Sequence, residues 1–179
     1  EKEFVFESAI HFEDKFIINF YEMTLLMTVE TEEIREQHVA IDRINYFLAN
    51  YVENSLFINA KEKKAIENYE KAGIRVLTLP EDPYDQIVGL VLLRKLNAIM
   101  ENKLQVIDIV FGSKLTSGIK FHSTLEESEE FTGDHWWERS APCVKSDLKT
   151  AKKDKVVKFA SQQDEWAEAD LLWKDAPSK

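Results

Sequence analysis

The stretch Ile74–Phe111, which reads IRVLTLPEDPYDQIVGLVLLRKLNAIMENKLQVIDIVF, decides the fold. Its first six residues, Ile74–Leu79, predict a short strand that Pro80 stops. The run Ile87–Met100 is apolar around most of its circumference, which is typical of a helix at the centre of a protein. Leu104–Phe111 then predicts a second, buried strand. The stretch is therefore a strand–helix–strand unit built around a buried helix.

The start of this central helix is the most clearly marked in the chain. Asp82 is a suitable capping residue, Pro83 suits a first helical turn, and Asp85 can bond back towards the helix start. Gly89 lies in the first half of the helix, where a missing side chain predicts the close approach of a neighbouring backbone.

A similar unit precedes this stretch. Ser55–Asn59 predicts a short strand, and Lys61–Ala72 predicts a short polar helix. Gly73 follows, where left-handed backbone is wanted at a helix end. Strand–helix–strand alternation from residue 55 to 111 is typical of parallel strands joined by crossover helices.

The chain opens with two strands that predict a long antiparallel hairpin. In the first, apolar residues alternate with polar ones and share one face: Phe4, Phe6, Ile10 and Phe12. After a turn at residues 13–15, the run from Phe16 to about Val29 is apolar on both of its faces. This second pattern predicts a strand buried on both sides.

One helix and one strand complete the set of predicted elements. Thr31 is a good N-cap for a helix at about residues 32–53, and Glu32 and Glu33 suit the positive end of its dipole. Residues 112–118 predict a turn, and Ile119–His122 predicts a last strand.

These elements predict an α+β fold whose middle part has α/β character. We expect a mixed β-sheet, opened by the antiparallel hairpin, with about three helices packed on it. The predicted core domain covers residues 1–125. Hydrophobic periodicity fails after Leu125, so residues 126–179 are predicted to form an irregular, charged C-terminal tail.

Composition excludes several classes of protein. The chain has 179 residues, of which 44% are hydrophobic, and a formal net charge of −10. This hydrophobic content rules out wholesale disorder, and no apolar run approaches the roughly 18 residues of a membrane span. The negative charge disfavours nucleic acid and anionic lipid as partners, because both repel an acidic surface.

The cysteine count and the first residues indicate a cytoplasmic protein. Cys143 is the single cysteine, so an internal disulfide is excluded. Glu1-Lys2-Glu3 is not the basic start of a secretory signal, and no long apolar segment follows it. A reducing cytoplasm is the expected location.

The tail combines blocks of like charge with all four tryptophans. Residues 126–139 are mainly acidic, residues 145–158 are rich in lysine, and residues 164–175 are acidic again. Tryptophan often anchors binding surfaces, because it buries much area with few rotamers to lose. The predicted protein-binding anchors are Trp136, Trp137, Trp166, Leu172 and Trp173.

Each of these anchors also has a purely structural interpretation. Trp136 and Trp137 follow directly on the last strand, which favours packing against their own domain. The segment with Trp166, Leu172 and Trp173 fits equally well a docking helix for another chain and one for its own domain.

Asp108 is the best single candidate for a catalytic acid. A carboxylate in an apolar strand is costly unless it is paired, and such a carboxylate can serve as an acid. The favoured interpretation is structural: Asp108 lies at a solvent edge or pairs with Arg75, Arg94 or Lys114.

Other motifs carry little chemistry. Residues 112–120 resemble a phosphate-binding loop, but Lys120 comes one place late and a strand follows, so a hairpin turn is favoured. The four histidines lack the spacing of a helical zinc site, and His122 and His135 lie only near acidic residues that are typical of a solvated surface. A thiol nucleophile at Cys143 with His135 is disfavoured by its lysine-rich surroundings. We expect no metal and no cofactor.

Two segments resemble small conserved proteins of unknown role from tailed bacteriophages. They are Leu79–Gly89, which reads LPEDPYDQIVG, and Lys95–Ile99, which reads KLNAI. The compact acidic core and the Trp-rich end are also similar. The resemblance implies a protein of the infected bacterium's cytoplasm or of the virion, and it implies no catalytic residues.

The sequence as a whole favours a non-enzymatic interaction or assembly protein that contacts a partner, or another copy, through its tail. The alternative is an enzyme for a nucleotide or another phosphate-containing substrate, with Asp108 near the 112–120 turn and a pocket at the carboxyl edge of the sheet.

Overall fold

The computed structural model describes residues 1–141, which contain six strands and three α-helices. The strands are β1 (Lys2–Phe12), β2 (Lys15–Val29), β3 (Leu56–Asn59), β4 (Val76–Leu79), β5 (Leu104–Ser113) and β6 (Lys120–Thr124). The helices are α1 (Ile34–Phe47), α2 (Lys63–Lys71) and α3 (Asp85–Met100). A π-helical turn, Leu48–Val52, extends α1. The expected α+β class is confirmed.

All six strands form one mixed sheet with the order β4-β3-β1-β2-β5-β6. The hairpin β1–β2 is antiparallel and pairs over its whole length, from Lys2 opposite Leu25 to Phe12 opposite Lys15. Strands β3 and β4 pair in parallel, as the alternation of strands and helices predicted, and β3 also lies parallel to β1. Strand β5 instead pairs antiparallel with β2, so the hairpin separates it from β4.

The main hydrophobic core lies between one face of the sheet and helices α1 and α3. The apolar stripe of α1 packs here through Ala40, Ile44 and Phe47. Helix α3 is buried along most of its length, as its sequence predicted. Gly89 of α3 does face a close neighbour, but this is the Phe111 side chain, 3.1 Å from a Cβ built at residue 89, and not a backbone.

Helix α2 packs on the opposite face of the sheet and covers only part of it. Its partly buried residues Ala65, Ile66 and Tyr69 contact a small cluster on β1, β3 and β4: Ala9, Leu56, Ile58 and Val76. Helix α2 has only nine residues and no fully buried side chain. It therefore covers the part of this face formed by β1, β3 and β4 and leaves the rest of the face open.

The folded unit extends beyond the predicted boundary at residue 125. Two short 3₁₀ turns, Glu127–Phe131 and Trp136–Glu138, pack against α3. We call residues 126–141 the strap. It leaves β6 and crosses α3, and at its far end the Trp136 indole N–H donates to the Thr78 carbonyl of β4 over 2.9 Å.

Two cations of α3 hold the strap. The guanidinium of Arg94 donates to both carboxylate oxygens of Glu138, at 2.8 and 2.9 Å. The fully buried Lys95 ammonium donates to the backbone carbonyls of Trp136, Arg139 and Ala141. The sequence favoured packing of Trp136 and Trp137 on their own domain, but it assigned them to the tail because acidic residues mask the hydrophobic pattern of the strap.

The starts of α1 and α3 differ from the sequence-based interpretation. Glu33, not Thr31, is the N-cap of α1, and the Thr31 hydroxyl only accepts a bond from the Glu33 N–H. Tyr84 is the N-cap of α3, with no side-chain cap. Asp82 instead accepts a hydrogen bond from the Asn59 amide at 2.8 Å, because the end of β3 lies beside it.

The turn between β5 and β6 is a hairpin, as favoured over a phosphate loop. A 3₁₀ turn, Lys114–Thr116, is followed by β6 and not by a helix. A Cβ at Gly112 would lie 2.8 Å from the Ile119 carbonyl oxygen, so this hairpin closes only around a glycine.

None of the helices within residues 1–141 has the length and apolar character needed to span a bilayer.

Candidate functional site

The hairpin side of the sheet carries an uncovered apolar surface on the face that α2 leaves open. Five side chains of β1 and β2 form it, and we call it the open face: Val5, Phe16, Ile18, Phe20 and Leu26, which are 72%, 46%, 60%, 39% and 45% exposed. Val5 and Ile18 share this face with the covered Ala9, because alternate residues of a strand point the same way and Ile18 lies opposite Ala9.

The open face corrects the prediction that β2 is buried on both sides. Its inner residues Tyr21, Met23 and Leu25 are fully buried, as expected for the core face. Helix α2 lies mainly over β1, β3 and β4 and reaches the outer residues of β2 at Phe16, whose ring centroid is 5.9 Å from that of Tyr69, so these residues stay largely exposed. In β2, the apolar residues of one face therefore belong to the core, and those of the other face form an exposed surface.

Charged side chains interrupt and border the open face: Glu22 lies on β2 between Phe20 and Leu26, and Lys120 lies on β6. Glu22 of β2 and Lys120 of β6 form an ion pair with 2.8 Å between Oε2 and Nζ. The hydrogen bond and charge of Lys120 lower the pKa of the Glu22 carboxyl, and the same contact raises the pKa of the Lys120 ammonium. The Lys114 ammonium lies 4.1 Å from the centre of the Phe20 ring, a cation–π contact.

Two cavities flank the open face. The larger, of about 560 Å³, lies between Phe16 and Ile18 on one side and residues 73–75 on the other. The smaller, of about 210 Å³, is lined by Val5 and Phe20 together with residues of the 112–120 turn. The open face is therefore a shaped surface with a recess at each end, which suits the side chains of a bound protein.

Asp108, the candidate catalytic acid, lies on the same face of the sheet at the β5–β6 pair. Its Oδ2 is 2.6 Å from Nε2 of His122, and Oδ1 is buried with no hydrogen-bond partner among residues 1–141. Asp108 is paired, as favoured, but its partner is His122 and none of Arg75, Arg94 or Lys114. Gly112 begins the turn four residues further along β5, about 13 Å away, so Asp108 is not adjacent to the turn.

A third cavity does lie at the carboxyl edge of the parallel strands, where α/β proteins commonly bind ligands. It has a volume of about 350 Å³, and its lining includes His11 of β1, Asn59 of β3, Asp82 and Tyr84. Nδ1 of His11 lies 3.2 Å from the Tyr69 hydroxyl. Sequence reasoning missed this group, because its members come from separate strand ends and form no linear motif.

The predicted tail anchors divide into two groups. Trp136 and Trp137 are 6% and 4% exposed and belong to the main core, so the interpretation that they pack on their own domain is confirmed. The Trp137 indole also donates to the Phe131 carbonyl at 2.8 Å. Their rings are thus not presented to a partner. Trp166, Leu172 and Trp173 lie outside the described residues, as does Cys143.

Residues 1–141 bring together no three histidine, cysteine, aspartate or glutamate side chains as a metal site. His122 is taken up by Asp108, and His135 stacks on the Trp137 ring with 4.4 Å between the centroids.

No protein-family model matches this chain, and a search of curated proteins finds no match.

Proposed function

We propose that the protein is a non-enzymatic interaction or assembly protein whose open face binds another protein or a second copy of itself. The observation that supports this is the uncovered apolar surface of Val5, Phe16, Ile18, Phe20 and Leu26. Exposed apolar surface on a folded protein commonly marks a site of protein association, because burying it releases water from both partners.

The C-terminal segment is the second part of the proposed interface. Trp166, Leu172 and Trp173 supply aromatic and aliphatic anchors, and acidic residues surround them. The resemblance to bacteriophage proteins suggests a phage accessory or virion component in the cytoplasm of the infected cell as the setting.

Absolute molar mass in solution, measured by light scattering, tests the open face. Ile18→Glu places a charge at the centre of the face, and we expect it to reduce association at least tenfold because the charge must be desolvated on binding. Ile34→Glu is the matched control: Ile34 is 67% exposed but lies at the start of α1, away from the open face. Equal association of both variants and the parent would contradict the proposal.

Heterologous binding is tested with the same pair of variants when the parent chain is monomeric. Proteins that co-purify with the parent and with Ile34→Glu, and are lost with Ile18→Glu, are expected partners of the open face. Co-purification that does not distinguish the two variants speaks against it.

The tail anchors are tested separately by the double substitution Trp166→Ala, Trp173→Ala and by a chain that ends at Ala141. We expect unchanged melting and weaker association in both, since residues 1–141 contain the whole described core. Undiminished association in both would remove the tail from the interface and leave the open face as the binding site.

The second candidate function, an enzyme for a nucleotide or another phosphate-containing substrate, has one supporting observation, the Asp108–His122 pair. A carboxylate at 2.6 Å from an imidazole can orient a general base. Asp108→Asn would then abolish hydrolysis of a phosphate ester and leave association intact, whereas the first proposal predicts no such activity in the parent chain.

A further inference from the structure

The two recesses that flank the open face have a defined spacing. Val5 and Ala9 lie four residues apart on the same side of β1, and each lines a different one of the two cavities. Four residues of a strand span about 13 Å, so the recesses are separated by about this distance along β1. Their volumes of about 560 and 210 Å³ leave room for one large aromatic side chain in each.

Two tryptophans of the C-terminal segment have a spacing that suits these recesses. Trp166 and Trp173 are seven positions apart in the sequence. Positions seven apart lie on one side of an α-helix, about 10 Å from each other along its axis. Two indoles at this spacing can therefore enter both recesses at once. A helix whose apolar side lies in a groove is a common mode of protein recognition, and tryptophan is enriched among its anchors.

Charge favours this segment as a link between two copies of the protein. Residues 1–141 contain 15 basic and 26 acidic residues, so two copies repel each other. Residues 145–158, which precede the tryptophans, contain six basic and two acidic residues and offset this repulsion when they lie between two copies. The lining of the two recesses is balanced, with three acidic and three basic residues: Glu7, Glu22, Glu53, Arg75, Lys114 and Lys120.

The chain leaves the described domain on the side opposite to the open face. Its last described residue, Ala141, is held by Lys95 of α3, and α3 packs on the core face of the sheet. The 24 residues from 142 to 165 span about 80 Å when fully extended, roughly twice the diameter of a domain of this size. This reach is sufficient for a second copy whose open face is turned towards α3 of the first. Binding to the same copy must instead lead the chain around the rim of the sheet.

We propose that residues 164–175 of one copy bind the open face of a second copy, with Trp166 and Trp173 in the two recesses. A two-fold pair makes this contact twice, because each copy contributes one open face and one segment. The inference rests on the proposed function and names the occupant of the open face.

Mixing two variants of the full chain tests the proposal by light scattering. Ile18→Glu damages the open face and keeps the segment, whereas the double substitution Trp166→Ala, Trp173→Ala damages the segment and keeps the face. Each variant alone should associate at least tenfold more weakly than the parent, because every contact lacks one of its two halves. An equimolar mixture can form one intact contact, and we expect one-to-one pairs at concentrations where neither variant pairs alone.

The matched control combines all three substitutions in one chain and mixes it with the double variant. This mixture contains no intact segment and should stay monomeric. If the mixture of the two test variants also stays monomeric, the proposal is overturned. The proposed function survives that result when Ile18→Glu still weakens association relative to Ile34→Glu, since the open face then binds a different occupant. A monomeric parent chain also overturns the proposal and leaves the open face to the co-purification test.

Contacts between chains distinguish a second copy from the same copy. In a sample of equal parts isotope-labelled and unlabelled parent chain, filtered nuclear Overhauser effects report only protons of different chains. We expect such effects between the methyl groups of Ile18 and the indole protons of Trp166 or Trp173. If these groups are in contact only within one chain, the segment covers its own domain and the proposal is wrong.

Discussion

Lys95 shows how one residue can determine where a folded unit ends. Its side chain is fully buried in α3, and its ammonium donates to three strap carbonyls at 3.2, 2.6 and 2.7 Å. It also lies 5.7 and 5.9 Å from the centres of the Phe47 and Trp136 rings. A buried cation is tolerated only with such dense compensation, so Lys95 and the strap depend on each other.

Replacing Lys95 by methionine should release the strap. The change leaves the strap carbonyls without their donor, so we expect a loss of about 2–4 kcal/mol in the free energy of unfolding. Hydrogen exchange of residues 136–141, followed by mass spectrometry, should rise strongly. Lys71→Met on α2, where the side chain is 70% exposed, is the control. Unchanged exchange in Lys95→Met would show that the apolar contacts alone hold the strap.

For single residues, the sequence predicted which side chains would be paired better than it predicted the residues they pair with. Asp108 was correctly expected to be paired, but its partner, His122, comes from the neighbouring strand β6. Asp82 was expected to cap α3 and instead binds Asn59, 23 positions earlier in the chain. Cross-strand registers decide such pairings, and a local pattern does not contain them.

At the scale of elements, α3 and β5 lie in close contact at Gly89. A Cβ at this position would lie 3.1 and 3.2 Å from Cβ and Cγ of Phe111. Phe111 is 1% exposed and stacks on Tyr21, so it has little room to yield. The glycine therefore sets the distance between helix and sheet.

Gly89→Ala should destabilise the protein although alanine is the better helix former. The helical gain of about 1 kcal/mol is outweighed by overpacking against Phe111, which costs about 1–3 kcal/mol. We expect a net loss of about 1 kcal/mol in chemical denaturation. Combining it with Phe111→Leu should recover part of the helical gain, and a stabilising effect of Gly89→Ala alone would contradict the packing argument.

Helices α1 and α3 are tied together by Arg43 and Glu101. The Arg43 guanidinium donates to Glu101 at 2.5 Å, and Lys103 adds a longer contact at 3.4 Å. Partial burial raises the pKa of the Glu101 carboxyl, but the hydrogen bond and charge of Arg43, together with Lys103, lower it by more. Its pKa in the folded protein therefore lies below the usual value.

This pair should make stability depend on acid. A carboxyl with a lowered folded-state pKa stabilises the fold above its unfolded pKa, and this contribution is lost as the pH falls below about 4.3. Glu101→Gln should cost about 0.5–1 kcal/mol at pH 7, a small amount because the carboxylate is 42% exposed, and progressively less as the pH falls below about 4.3 and through the lowered pKa of the folded protein. Thermal unfolding across this range measures the difference, and Glu67→Gln on α2 is the control. A difference that stays constant with pH would contradict the assignment.

Most elements were predictable because their patterns are local. The alternation in β1, the apolar circumference of α3 and the left-handed Gly73 all reappear in the structure. The open face was not predictable in the same way. Phe16, Ile18 and Phe20 have the composition of buried residues, and only the short reach of α2 over the sheet leaves them exposed.

The whole molecule is larger than the predicted core of residues 1–125. Phe131, Trp136 and Trp137 are 9%, 6% and 4% exposed and complete the layer over α3. Deleting a buried aromatic side chain costs about 3–5 kcal/mol, and the total stability of a domain is about 5–15 kcal/mol. The combined loss of three such side chains is comparable to the whole free energy of unfolding of a domain of this size.

A chain that ends at residue 125 should therefore fail to fold, and a chain that ends at residue 141 should melt like the full-length protein. Circular dichroism in the near ultraviolet and calorimetry distinguish the two. A cooperative transition of full height in the shorter chain would show that the strap is an accessory to a core that is already complete.

The bond from Trp136 to Thr78 has a consequence for how copies of this protein can join. The carbonyls of Arg75 and Leu79 point towards β3, so the Thr78 carbonyl between them points outwards from the rim of the sheet. With the indole seated on it, an incoming strand finds this acceptor already taken, and continuous growth of the sheet from molecule to molecule is obstructed there. Fibre-like stacking of sheet edges at this rim is thereby disfavoured.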